Sequence, residues 1–116
     1  MPCFFFGAEM AGPDDVRRIA LSLEGTTEAP HFDRIAFKVR RIYATLAADG
    51  ATLNLMLTPD EQAFKCMLGP EIYIPVPNAW GRNGATTARL ADMDEPELRA
   101  ALTMAWEHGR ASKPRR

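Results

Sequence analysis

Between Arg34 and Leu57 the chain repeats with a period of two. Ile35, Phe37 and Val39 alternate with Arg34, Ala36, Lys38 and Arg40; Ile42, Ala44 and Leu46 alternate with Tyr43 and Thr45; Leu53, Leu55 and Leu57 alternate with Thr52, Asn54 and Met56. Successive side chains of a strand point to opposite faces, so each run makes a strand with one apolar side. The Asp49-Gly50 turn signal joins the second run to the third, which predicts an antiparallel meander. Such a sheet has to cover its apolar side, and the flanking segments supply helices to do so.

Val16, Ile19, Ala20 and Leu23 follow helical spacing, with Asp14 as the expected cap and Gly25 just past the end. Thr58-Pro59-Asp60-Glu61 combines a capping box with proline at the first helical position, and Gly69-Pro70 stops that helix. Ile72, Ile74 and Val76 alternate but share their stretch with Pro75 and Pro77, which cannot donate ladder hydrogen bonds, so this strand belongs at an edge or is irregular. A Gly81–Gly84 turn then leads into a strand over Thr86–Leu90. Last, Asp94 and Glu97 repeat the capping-box pattern before the apolar stripe Leu98, Ala101, Leu102, Ala105.

The order α-β-β-β-α-β-β-α has hairpins and no βαβ alternation. It predicts an α+β domain, a two-layer sandwich with the first and last helices on one side of a single antiparallel sheet. Ile35, Phe37, Leu53, Leu55, Leu98 and Leu102 form the expected core, while Arg34, Lys38, Arg40, Thr87 and Arg89 face outward.

A chain of 116 residues with 47% apolar and 25% charged residues can fill one core without disulfides or metal. Cys3 and Cys66 have neither zinc nor redox spacing, which suits a reducing cytoplasm. The apolar opening Phe4-Phe5-Phe6 is too short for a signal peptide or a spanning helix. Residues 1–9 read as an extension outside the fold, residues 10–109 as the domain and residues 110–116 as a basic tail. All 15 acidic residues precede position 110, so residues 1–109 carry 10 basic groups against 15 acidic ones, a net of −5. An acidic body holds nucleic acid only through a local basic face or the tail, because cationic groups that release counterions supply most non-specific affinity.

Thr26-Thr27-Glu28-Ala29-Pro30-His31-Phe32, Phe37-Lys38-Val39, Leu57-Thr58-Pro59-Asp60-Glu61-Gln62 and Pro75-Val76-Pro77-Asn78-Ala79-Trp80-Gly81-Arg82 together resemble the MmcQ/YjbR family of small bacterial proteins. The resemblance runs from about Asp14 to His108. It implies an α-β3-α-β2-α fold similar to secretion chaperones, and DNA as the ligand to expect. Relatives often carry Gly-Lys where this chain has Arg40-Arg41, and a tryptophan where it has Ala85.

His31, between Glu28 and Asp33, suits a turn-fixing imidazole that hydrogen-bonds backbone, with ligand contact the alternative and a metal site the least favoured reading. Trp80, between Asn78 and Arg82, suits a plug at the end of the core; stacking on a base is the alternative. Gly81–Thr87 lacks Walker spacing and the lysine of a phosphate loop. Ser22, Ser112 and Cys66 sit in no nucleophilic arrangement.

The sequence therefore predicts a non-enzymatic binding protein without cofactor, metal or membrane association. DNA is expected on a sheet face built from Arg34, Lys38 and Arg89, with His31, Asn78, Trp80 and Arg82 as further contacts. The rival expectation is a protein-interaction or chaperone-like module that holds a peptide or forms a homodimer.

Overall fold

The computed structural model describes residues 11–111. The expected extension at residues 1–9 and the tail beyond Ala111 lie outside the described residues. The elements are α1 (Pro13–Ser22), β1 (Thr27–His31), β2 (Arg34–Lys38), β3 (Ile42–Leu46), β4 (Thr52–Met56), α2 (Pro59–Leu68), β5 (Tyr73–Pro75), α3 (Ala79–Arg82), β6 (Ala85–Arg89), a 3-10 turn (Leu90–Asp92) and α4 (Glu95–Arg110).

All strands join one antiparallel sheet in the order β1-β2-β3-β4-β6-β5. α4 lies over β3 and β4, α1 packs on α4, and α2 packs against β5 and β6. This is the expected α+β sandwich, with the first and last helices on the apolar side. Phe37, Leu53, Leu55, Leu98 and Leu102 are fully buried, whereas Ile35 is only partly so.

Local chemistry sets the helix ends. Thr58 Oγ1 accepts from the Glu61 N–H at 3.1 Å while Glu61 Oε1 accepts from the Thr58 N–H at 2.9 Å, a complete capping box. Asp94 caps α4 by accepting from the Glu97 N–H at 2.9 Å, but the Glu97 carboxylate does not return the bond. It turns instead to Tyr73 Oη and to Lys65 Nζ at 3.1 Å. α1 starts earlier than expected: Gly12, not Asp14, is its cap, and Asp15 Oδ2 accepts from the Gly12 N–H at 3.0 Å.

Three features differ from the sequence expectation. β1 is an added edge strand where a turn was expected; Glu28, Ala29 and Pro30 offer no apolar alternation because the strand is largely exposed. The Gly81–Gly84 turn begins inside a short helix, α3, capped by Asn78 Oδ1 accepting from the Trp80 N–H at 2.8 Å. Third, β3 bulges. Phe37 pairs with Ala44 but Lys38 pairs with Ile42, so Tyr43 is an extra residue. The bulge turns both Tyr43 and Ala44 into the core and leaves Ile42 with Thr45 on the opposite face.

Candidate functional site

Among the described residues no long helix lies across that opposite face; the short α3 and the end of α4 reach only its border. Its centre is a hollow of about 490 Å³ floored by Ile42, Thr45, Asn54, Met56 and Ala85. The tip of the β1–β2 hairpin forms one wall and the Val76–Trp80 segment the other. A second hollow of about 390 Å³ adjoins it, reaching Arg41, Asn83 and the α4 end at His108 and Gly109. The two share Ile42, Met56, Trp80 and Ala85.

The hairpin wall has an unusual geometry. Register pairs His31 with Arg34, so Phe32 and Asp33 alone make the turn. Phe32 has φ 61° and Asp33 does not share the positive φ, the pattern of a hairpin turn that normally places glycine first. A bulky residue in this conformation costs on the order of 1–3 kcal/mol. Phe32 is also 95% exposed, its ring meeting only the His31 imidazole edge-on at 4.9 Å.

The facing wall is held from beneath. Gln62 Nε2, on α2, donates to the Gly81 carbonyl at 2.8 Å and to the Ala85 carbonyl at 2.9 Å, clamping both sides of the α3 loop. Gly84, at φ 111°, brings its backbone against that of Leu57. Trp80 stands on this platform 67% exposed, so it is not the core plug that its size suggested.

Arg34 lies along the floor, its Nε donating to Thr45 Oγ1 at 2.9 Å and its Nη2 to the Thr45 carbonyl at 3.0 Å. Asn54 Oδ1 accepts from Thr87 Oγ1 at 2.8 Å, and Asn78 Oδ1 is used by its helix cap. Among the described residues the amide NH₂ groups of both asparagines and the Trp80 indole N–H have no hydrogen-bond partner. The His31 imidazole likewise makes no hydrogen bond among the described residues, so it is not the backbone-bound turn imidazole expected of it. In the second hollow, His108 Nδ1 is 2.9 Å from the Met56 carbonyl; a carbonyl only accepts, so Nδ1 carries the proton. Arg41 Nη2 donates to the His108 carbonyl at 2.7 Å.

The structure thus brings His31, Arg34, Asn78 and Trp80 to one hollow and leaves Lys38, Arg82 and Arg89 outside its lining. The expected Arg34-Lys38-Arg89 patch is not contiguous. Lys38 lies four residues along β2 from Arg34, roughly 13 Å, and β6 is three strands from β2, about 14 Å. Arg89 is moreover paired with Asp92 at 3.3 Å. Sequence reasoning missed Phe32, Asn54 and Gln62; the two-residue Phe32-Asp33 spacer was the available signal for the first.

Charge sorts sharply around the hollows. Arg17, Arg18, Lys65, Arg89, Arg99 and Arg110 form ion pairs with carboxylates. Among the described residues the cations without such a pair are Arg34, Lys38, Arg40, Arg41 and Arg82, all on β2, the turn after it or α3. No group of three or more His, Cys, Asp or Glu side chains among these residues is placed to hold a metal ion. Within the same residues no helix is long and apolar enough to cross a membrane.

The architecture is that of a small two-layer α+β domain with a helix-free sheet face framed by two exposed aromatics. A family model, YjbR, matches residues 21–108, and the chain belongs to the YjbR family. The crystal structure of Deinococcus radiodurans protein DR2400, with its DUF419 domain, is similar in fold: TM-score 0.72 and 21% identity, covering 87% of this chain and 80% of that one. No curated protein sequence matches this chain significantly.

Proposed function

We propose that this protein is a non-enzymatic binding protein that takes single-stranded nucleic acid, DNA first, across the helix-free sheet face. The observation that carries the reading is the segregation of Arg34, Lys38, Arg40, Arg41 and Arg82, without carboxylate partners among the described residues, to the segments bordering Trp80 and Phe32. Cations that no carboxylate neutralises are those able to displace counterions from phosphate, and exposed rings stack on unpaired bases for about 1–3 kcal/mol each. A duplex offers no free base faces, and the acidic body repels the rest of it. Among the described residues neither serine nor cysteine lines the hollows: Ser22 Oγ donates to the Ile19 carbonyl within α1, and burial pushes the Cys66 thiol up. A cytoplasmic setting agrees with the free Cys66 thiol.

Fluorescence anisotropy on labelled oligonucleotides at several salt concentrations tests this. Single strands should bind at least as well as duplex, and binding should weaken steeply with salt. Arg34→Glu/Lys38→Glu and Trp80→Ala should each weaken it. No binding at low salt, or binding indifferent to the charge reversals, overturns the reading.

A second reading rests on α2. Its one buried residue is Lys65, while Phe64, Met67 and Leu68 are exposed along one flank. An apolar stripe facing solvent favours self-association of two copies through α2. Sedimentation over a range of concentrations, with Met67→Glu as the control, separates this from the nucleic-acid reading.

A further inference from the structure

Resting on the single-strand reading, we infer that the site is built for two consecutive unpaired nucleotides, one in each hollow, with the Trp80 indole standing between their bases. The two hollows meet along Ile42, Met56, Trp80 and Ala85, and Trp80 is the exposed member of that shared wall. Each hollow falls in the volume range of a small-molecule site. Trp80 lines both spaces, which makes its indole the group placed to stack on a base in either one.

The chemistry of the two spaces differs. In the larger one, the unpartnered amide NH₂ groups of Asn54 and Asn78 are donors beside the apolar Ile42, Met56 and Ala85, and Phe32 offers a second ring at the mouth. Donors of this kind match the carbonyl oxygens of an unpaired thymine or uracil, whose flat faces suit the aromatic walls. The smaller space has Arg41, which suits the phosphate linking the two nucleotides. Gln62 and the closely packed glycines Gly81 and Gly84 hold the loop beneath Trp80, so the loop backbone does not have to be ordered on binding.

The test is a length series of thymidine oligomers, one to four nucleotides and a twenty-mer, titrated at low salt by quenching of tryptophan fluorescence and by calorimetry. The matching uridine series separates DNA from RNA. Affinity should rise about tenfold from one nucleotide to two, one stacked base in this range. It should then rise less than about threefold per added nucleotide, as single phosphate contacts allow. Arg41→Gln should shrink the step at two, and Trp80→Ala should weaken binding of one nucleotide and of two. If the twenty-mer binds but affinity climbs evenly with length, the two-nucleotide site is wrong and the single-strand reading stands. If the twenty-mer does not bind, both fall.

Discussion

The backbones of Gly81 and Val76 touch: a Cβ on Gly81 would lie 1.7 Å from the Val76 carbonyl oxygen. No rotamer change relieves a clash with backbone, so an alanine there must push the α3 loop away from the strand that precedes it. Gly81→Ala should cost about 3 kcal/mol or more, because overpacking against backbone exceeds the usual range for side-chain crowding. Denaturant melts measure the loss. Oligonucleotide binding should fall with it, since the displaced loop carries Trp80. A stability change near zero would mean the contact is not made.

The Phe32 turn predicts the opposite trade. Phe32→Gly removes a bulky residue from φ 61° and supplies the residue that this turn favours. Relief of the strain outweighs the entropy lost on fixing glycine, so the variant should be more stable by about 1 kcal/mol. Because Phe32 is almost wholly exposed, the packing lost is little more than its edge contact with the His31 ring. The same variant should bind single strands more weakly. Thermal melting and anisotropy on one preparation check both signs, and a destabilised variant would refute the strain argument.

Leu102 on α4 is fully buried against the sheet, and truncation to alanine should cost about 2–5 kcal/mol through lost transfer energy and the cavity left behind. Chemical denaturation provides the value.

The inward faces were legible because period two and helical spacing are local properties of the chain. Phe37, Leu53 and Leu55 alternate with polar residues whatever strand lies beside them, and Thr58-Pro59-Asp60-Glu61 closes its capping box within four residues. What required the third dimension was not legible. Tyr43 alternates like an outward residue and is turned inward by a bulge defined only by pairing with β2. Trp80 is large enough to plug a core, but exposure depends on which elements reach it, and here α2 holds the loop from beneath instead of covering the ring. β1 is an edge strand with one proline and little burial, so it carries no alternation to read. Arg89 looked like part of a binding patch; its i,i+3 spacing to Asp92 was the overlooked sign that its charge is already matched.

Both tyrosines of the chain are pushed up. Burial raises Tyr43, with the Thr26 hydroxyl partly opposing it. Burial also raises Tyr73, reinforced by its hydrogen bond to the Glu97 carboxylate and by that charge. In the unfolded chain each phenol ionises near about pH 10, whereas the folded chain holds both protons beyond that. Above about pH 10 the unfolded state binds fewer protons than the folded one, so stability is level below that pH and falls as pH rises further. Ultraviolet titration of the folded protein should show no phenol ionising at its ordinary pH, with both appearing together as the chain unfolds. An early step of one tyrosine would mean that its ring is solvated.

The salt dependence of binding can be anticipated from the ion pairs. Arg34, Lys38, Arg40, Arg41 and Arg82 lack carboxylate partners among the described residues, and Arg34 and Arg41 line the hollows. A single strand releases about 0.7 of a counterion per neutralised phosphate, so these side chains together give a log–log slope no steeper than about −3.5. Arg34→Gln should make the slope shallower by about 0.7 and also weaken affinity at every salt concentration, since the guanidinium held by Thr45 cannot be replaced by a neutral amide. Arg89→Gln should leave the slope unchanged, because its charge is spent on Asp92. Anisotropy titrations of a thymidine twenty-mer across a salt series, with wild type and these two variants, give all three slopes. Equal effects of the two substitutions would show that the phosphate path crosses β6 as well, and a slope far steeper than the bound would bring the basic tail into the site.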